Sequence, residues 1–463
     1  MKSLEFKDRR ISFWKLLGTI SLLLLLIVLF WSHNYSDLLL TTRHGINFWN
    51  ILFDGQIHNF YHINITESGN VYYPDVNSCA YNILIYIIFA VWNIPLAILW
   101  KITSIDIMNN LLCLAWAKLL PVTAAVICAR LVWLILEDLD VSKSRRQFAT
   151  YLIFSSAILI SAVFINCQYD TLGLVFQLLG IRCYLKKDFR GFIIYFGIAV
   201  CLKLFALIIM IPLLLIREKK LSKLLAWMVF AIVPYLVTTL PFSLVDAARG
   251  IEQRKSLFME LFPMLLSKAN QNGLFYWFVV VYGALLIWCF LRNPKETSRE
   301  DVLWVCFCAI SSFFVFLHTY PYWIVLMVPY IALIFALSPN HLLPVMLLLE
   351  TIGSCALVLK MMRFFDWTYW GNTMNTMVLP YLFPQQFENT VSRIRFLITT
   401  MNERGVLIVY SCIVLAFSAM AWLRYPEKTK CEKETLVLDR EIVTVRFLAI
   451  AGVTLIPVLS LFL

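Results

Sequence analysis

The chain has 463 residues, of which 61% are hydrophobic and 14% charged, with a formal net charge of +11 and a mean hydropathy of +0.79. A soluble protein of this length could not cover so much apolar surface, which leaves a polytopic membrane protein. The apolar runs lack the alternation of a lipid-facing barrel strand, so the expected fold is all-α, a transmembrane helix bundle of about 12–14 membrane segments.

In such a bundle the surplus of Lys and Arg reads as a topology signal and as contact with membrane lipids, not as a nucleic-acid footprint. Most of the twelve cysteines lie within apolar runs, and no CxxC pair occurs, so neither a zinc site nor a disulfide framework is indicated.

The N-terminus, "MKSLEFKDRRISFWKLLGTISLLLLLIVLFW", has a basic start and an apolar run too long for a signal-peptide core. It reads as a retained first span with a cytoplasmic N-terminus. The segment from Ser32 to Cys79 then lies outside and carries one basic residue, Arg43. Its stretch "RHGINFWNILFDGQIHNFY" suits a helix lying at the interface. Asp37 follows the first span almost at once, either as a general base at the membrane face or as a helix cap. His58 and His62 share a helical face by spacing, but no HExxH pattern accompanies them; contact with a sugar or phosphate competes with simple interfacial placement.

Apolar segments follow at 81–100, 111–136, 148–165, 171–185, 191–216, 224–241, 274–291, 302–317, 322–337, 342–359, 405–423 and 447–462. The loop "EDLDVSKSRRQ" is basic and so cytoplasmic, which means that one of the two segments before it does not cross. The first, interrupted by "WNIP", is the candidate for a juxtamembrane or half-inserted helix. "KKDFR" and "REKKLSK" both read as cytoplasmic, yet only 191–216 lies between them, with Lys203 near its middle. Either this segment enters and returns with Lys203 at its tip, or it is one tilted span in which Lys203 snorkels or is paired. The hairpin would place "NCQYD", with Gln168 and Asp170, on the external face. "HTYPYW", with His318, Tyr320 and Tyr322, and the segment 360–404 fall on that face too.

In this order the motifs resemble the GT-C superfamily of integral-membrane glycosyltransferases, in particular its bacterial mannosyltransferase-like branch. "YSDLLLTTRHGINFWNILFDGQIHNFY" is similar to that family's first external loop, with Asp37 and Gly55 at the matching places. "VYYPDVNSCAYNILIYIIF" resembles its Tyr-Pro segment entering a juxtamembrane helix. "NCQYDTLG" resembles its Gly-Gln-x-Asp segment, with Cys167 where Gly is frequent, and "HTYPYWIVLMVPYI" its late aromatic motif. The likeness covers residues 11–335. It implies a catalytic module over 1–341, including the first external loop 32–80, followed by variable C-terminal helices over 342–463 with the external segment 360–404.

The resemblance implies inverting transfer of a hexose from a polyprenyl-phosphate-linked donor to a lipid-linked or cell-envelope glycan acceptor. Asp37 would be the base, and Lys203 and Arg43 would bind the donor phosphate. Gln168, Asp170, His318, Tyr320, Tyr322 and His58 would contact substrate. A divalent cation, Mg or Mn, is a possible cofactor, and a bacterial inner or plasma membrane the expected location. The alternatives are a flippase or transporter of lipid-linked sugars, with Lys203 and Asp170 lining a path, and an O-antigen-type polymerase or ligase. For the last, Arg363, Arg393, Arg395 and Arg404 would form the Arg-rich late loop.

Overall fold

The computed structural model describes residues 2–61, 63, 79, 81–103, 105–245, 276–317, 319–364, 377–382, 393–426 and 433–460. Among them every regular element is helical. Among the described residues six helices are long and apolar enough to cross a membrane, or seven if one bent pair counts as a span. Most of the remaining segments expected from the sequence are shorter apolar helices, which explains why a hydropathy reading counts more segments than helix length supports.

The chain rises through α1 (Lys2–Ser32) and turns into α2 (Ser36–Phe53). α2 buries Leu38, Leu39, Ile46, Phe48 and Ile51 and leaves Phe53 76% exposed, which is the one-sided pattern of an interfacial helix. It stops at Gly55, whose φ of +69° is available to glycine at no steric cost. There the Gly55 and Gln56 amides donate to the Leu52 and Ile51 carbonyls and close the last turn.

α3 (Ile83–Trp92) and α4 (Ile94–Thr103) meet at a 65° bend centred on the buried Asn93, whose side-chain amide donates to the Phe89 carbonyl. α3 crosses α2 at Gly45 so closely that a Cβ there would sit 2.7 Å from that of Phe89. A further turn leads into α5 (Leu111–Asp138). Trp92 and Trp116 exchange indole N–H bonds to each other's carbonyls, at 3.0 and 3.1 Å, and stack. The bend of the pair therefore packs against the first turns of α5, in the form of a broken span or a re-entrant pair.

α6 (Lys143–Phe154) continues through Ala157–Leu159 and a π-helical turn, Ile160–Ile165, to the break at 166–170. α7 (Thr171–Leu185) returns, then α8 (Phe189–Leu202) and α9 (Ala206–Arg217) follow. The 191–216 stretch is thus two helices. The Arg217 guanidinium lies 4.2 Å from the Phe189 ring centre, so the far ends of α8 and α9 meet, and Lys203 caps α8 in extended backbone at the tip. At 14 and 12 residues the arms are about 21 and 18 Å long, too short to span about 30 Å of hydrocarbon. Cysteines placed at Lys187 and Lys220 should react with an impermeant maleimide from the same side of sealed vesicles. Labelling from opposite sides would refute the hairpin.

α10 (Leu221–Val245), α11 (Trp277–Leu291), α12 (Arg299–Phe316), α13 (Val328–Ala336), α14 (Leu343–Phe364), α15 (Glu403–Leu423) and α16 (Arg440–Leu459) complete the bundle. α14 runs five residues beyond the expected 342–359, so Lys360 and Arg363 belong to a helix and not to an external loop.

Turns of one kind gather at one end. Asp138 pairs with Arg182 at 2.6 Å and Lys186 at 3.0 Å, Lys433 pairs with Glu300 at 2.8 Å, and Arg145 donates to the Ser338 and Glu434 carbonyls. The opposite end holds α2, the bent pair and the break at 166–170. One core cluster runs through both halves of the chain, from Leu22 to Val453. Within it Arg446 of α16 donates to Glu350 of α14 at 2.7 Å and to Ser155 in the interruption of α6 at 2.8 Å, so the C-terminal helices are tied to the rest by a buried ion pair.

Candidate functional site

The first turn of α2 carries Asp37, which is partly open to solvent. Three side chains from two other segments donate to its carboxylate. Tyr81, just before α3, reaches Oδ2 at 2.9 Å. Gln168 Nε2 reaches the same oxygen at 3.1 Å, and the Tyr169 hydroxyl lies 3.3 Å from both oxygens. Tyr169 is held in turn by Thr41 at 3.0 Å, one turn along α2. The orientation of the carboxylate is therefore fixed from two sides while one side stays open.

Tyr81 also joins Asp37 to a second charged group. Its ring centre is 5.2 Å from Lys203 Nζ, and the Trp323 ring centre lies at the same distance. Lys203 forms a salt bridge of 2.9 Å with Asp170, with side chains 4% and 1% exposed. The two elements that supply this pair are the broken ones. Asp170 ends the turn that follows the π-helical stretch, and Lys203 sits where α8 gives way to α9. At these breaks the two charges face each other inside the bundle.

The turn before Asp170 contains Cys167 with φ +52°, a left-handed backbone that favours glycine. Asn166 Oδ1, Gln168 Oε1 and Asp170 Oδ2 are buried without a hydrogen-bond partner, so the turn presents polar atoms that remain available to a ligand.

Tyr320 and Tyr322 stack at 5.8 Å beside Trp323, and Tyr322 lies 6.0 Å from Tyr35, immediately before α2. The late aromatic motif thus forms a wall next to the Asp37 and Lys203 groups. Asp37, Gln168, Asp170, Lys203, Tyr320 and Tyr322 come together as the sequence reading grouped them. His58 does not join them: it is exposed on the short turn Ile57–Asn59 beyond Gly55. Arg43 stands six residues after Asp37, about 120° around α2, so it leaves the helix on another face. His318 and His62 lie outside the described residues.

Among the described residues no three His, Cys, Asp or Glu side chains converge as metal ligands. Of the two carboxylates of the site, Asp37 accepts from hydroxyl and amide donors and Asp170 pairs with an ammonium.

Three residues of the site were not among the substrate contacts expected from the sequence: Tyr81, Tyr169 and Trp323. Tyr169 lies inside "NCQYD", between the two polar residues that were chosen. Tyr81 precedes Asn82, whose side chain caps α3 by accepting from the Leu84 amide. An Asn opening an apolar run is a helix-start signal, and it would have placed Tyr81 at the helix mouth.

A fourth, Lys118 of α5, lies below the site. Its ammonium donates to the carbonyls of Phe30 at 2.6 Å, His33 at 2.7 Å, Phe164 at 2.8 Å and Leu29 at 3.3 Å. These are the end of α1, the residue after it, and the π-helical turn, the two segments that lead directly to Asp37 and Gln168. Lys118→Met would remove this shared donor from all four carbonyls, of which Leu29 keeps the Ser32 hydroxyl. The expected loss is about 3 kcal/mol of stability, read as a lower Tm in detergent; an unchanged Tm would show that the contacts contribute little.

No family model, curated protein or solved structure matches the chain.

Proposed function

We propose that the chain is a membrane glycosyltransferase of the GT-C type, taking a hexose from a polyprenyl-phosphate-linked donor to a lipid-linked or cell-envelope glycan acceptor. The observation that carries this reading is the position of the Asp37 carboxylate. It is oriented by Tyr81, Gln168 and Tyr169, open on one side, and shares a site with the buried Lys203–Asp170 pair.

The orientation follows from charge: the end holding Arg145, Arg182, Lys186 and Lys433 is cytoplasmic and the Asp37 end external, in a bacterial cell membrane. In the reaction the acceptor hydroxyl attacks the anomeric carbon from the face opposite the phosphate. Its proton passes to Asp37, the new glycosidic C–O bond forms, and the bond from carbon to phosphate oxygen breaks with inversion. The electron pair leaves on the lipid phosphate, where the Lys203 ammonium stabilises the added charge. The buried polar atoms of Asn166 and Gln168 are available to sugar hydroxyls, and the Tyr320–Tyr322 stack offers a ring face to the sugar.

A laterally open groove of about 580 Å³ supports a lipid-borne substrate. It is lined by Leu22, Leu26, Phe30, Leu119, Val126 and Phe154, and it ends at Trp31 and Phe164, just short of the segments that carry the site. An isoprenoid chain in that groove would bring its phosphate to the level of Asp37.

The test is transfer from synthetic polyprenyl-phosphate sugars by the purified protein, with Asp37→Asn alongside. One observation favours a second reading, a flippase for lipid-linked sugars: the charged pair sits at paired helix breaks, as substrate sites of transporters do. Movement of a lipid-linked sugar between leaflets without transfer would select that reading over the first.

A further inference from the structure

A second group of cations lies on the same end of the bundle, away from Asp37, where topology does not account for it. On α14, Lys360 is 5% exposed and its Nζ is buried without a hydrogen-bond partner; its nearest aromatic contact is the Tyr410 ring of α15, at 4.8 Å. Arg363 stands three residues on, on the same helical face, and its Nε is likewise buried without a partner. A short helix, Arg393–Thr399, packs on α14. It buries Ile398 and turns Phe396 and Leu397 outward, 57% and 68% exposed, beside Arg393 and Arg395. Among the described residues in 358–364 and 393–410, Glu403 is the sole carboxylate.

Each part has a physical reading. An ammonium left unpaired inside a membrane protein is costly, and it is retained where something anionic neutralises it. A short helix with outward Phe and Leu between arginines is built to lie at headgroup level. In the orientation proposed above these cations face outward, against the bias that explains those at the other end, so they need a different reason.

We propose that α14, the helix Arg393–Thr399 and the start of α15 form a binding site for a phosphate anion, and specifically for the headgroup of an anionic phospholipid. Lys360 is the buried contact and Arg363 the contact nearer the surface. Phe396 and Leu397 hold the glycerol and upper acyl chain. The site is distinct from the donor site and uses only the orientation of the proposed function, not the transfer reaction.

Lipid retention measured by native mass spectrometry tests this without an activity assay. The full chain in detergent is titrated with phosphatidylglycerol, with phosphatidylcholine as the neutral comparison. Lys360→Met and Arg363→Gln should each weaken phosphatidylglycerol binding by about fivefold or more, leave phosphatidylcholine unchanged, and add in the double variant. Lys360→Arg should keep the preference. A parallel arm reads Tm with inorganic phosphate: a rise equal to that given by phosphatidylglycerol and lost in Lys360→Met keeps the anion site but overturns the assignment to a lipid. Equal phosphatidylglycerol binding by wild type and both variants overturns the proposal. Lys360→Met removes a buried charge without changing side-chain bulk much and should fold; if it does not, Arg363→Gln, at a half-exposed position, decides alone.

Discussion

Replacing Asp37 by Asn is expected to lower sugar transfer by about a thousandfold while leaving the fold and substrate binding in place. Asn keeps the size of the side chain and one oxygen, so Tyr81 and Gln168, which share Oδ2 at 2.9 and 3.1 Å in the parent, can still donate to it. What it loses is the ability to accept the acceptor's proton. The loss should therefore appear in kcat, with KM for the donor little changed. Two neighbours sharpen the reading. Tyr81→Phe and Gln168→Leu each remove one donor and leave the carboxylate, so they should cost far less than Asp37→Asn. A general base held by three groups tolerates the loss of one; a residue that only caps α2 would give three similar, small effects on Tm and none on chemistry. Full transfer by Asp37→Asn would remove Asp37 from the mechanism.

The sequence made part of this site legible and hid the rest, for reasons that can be named. The break at Lys203 was one of two readings of the sequence, raised because two basic loops cannot lie on one side of a membrane with a single span between them. The same charge count led to the expectation that one of the segments 81–100 and 111–136 does not cross. It could not show where the bend falls: the helix breaks at Asn93, whose side chain bonds back to its own turn, and not at the following Ile-Pro step. Hydropathy also could not tell a long helix from two short ones, because an apolar hairpin and a span have the same composition. The meeting of Asp37 with Gln168 joins residues 131 apart in the chain, and no local pattern encodes such a contact. Lys118 escaped for a related reason. Its partners are backbone carbonyls of other helices, which no side-chain motif can reveal.

Breaking the buried pair should separate its two roles. Lys203→Met leaves Asp170 in a low-dielectric setting with no cation beside it, and its Oδ2 has no partner even in the parent. Asp170→Leu leaves Lys203 between the Tyr81 and Trp323 rings, each 5.2 Å away, which soften the loss without replacing a carboxylate. Each single change should cost about 3–5 kcal/mol, with Asp170→Leu at the lower end because the rings remain. The double variant Lys203→Met, Asp170→Leu removes both charges at once and should recover most of that stability, since a well-packed apolar pair of similar volume does as well as a buried ion pair. The stability cycle then reads the coupling between the two residues, measured as Tm or as denaturant midpoints in detergent. Transfer activity must follow a different course. If Lys203 stabilises the departing phosphate, the stable double variant remains inactive, because its fold has recovered and its cation has not. If the pair only closes the tip of the α8–α9 hairpin, activity returns together with stability, and the phosphate role of Lys203 fails while that of Asp37 stands.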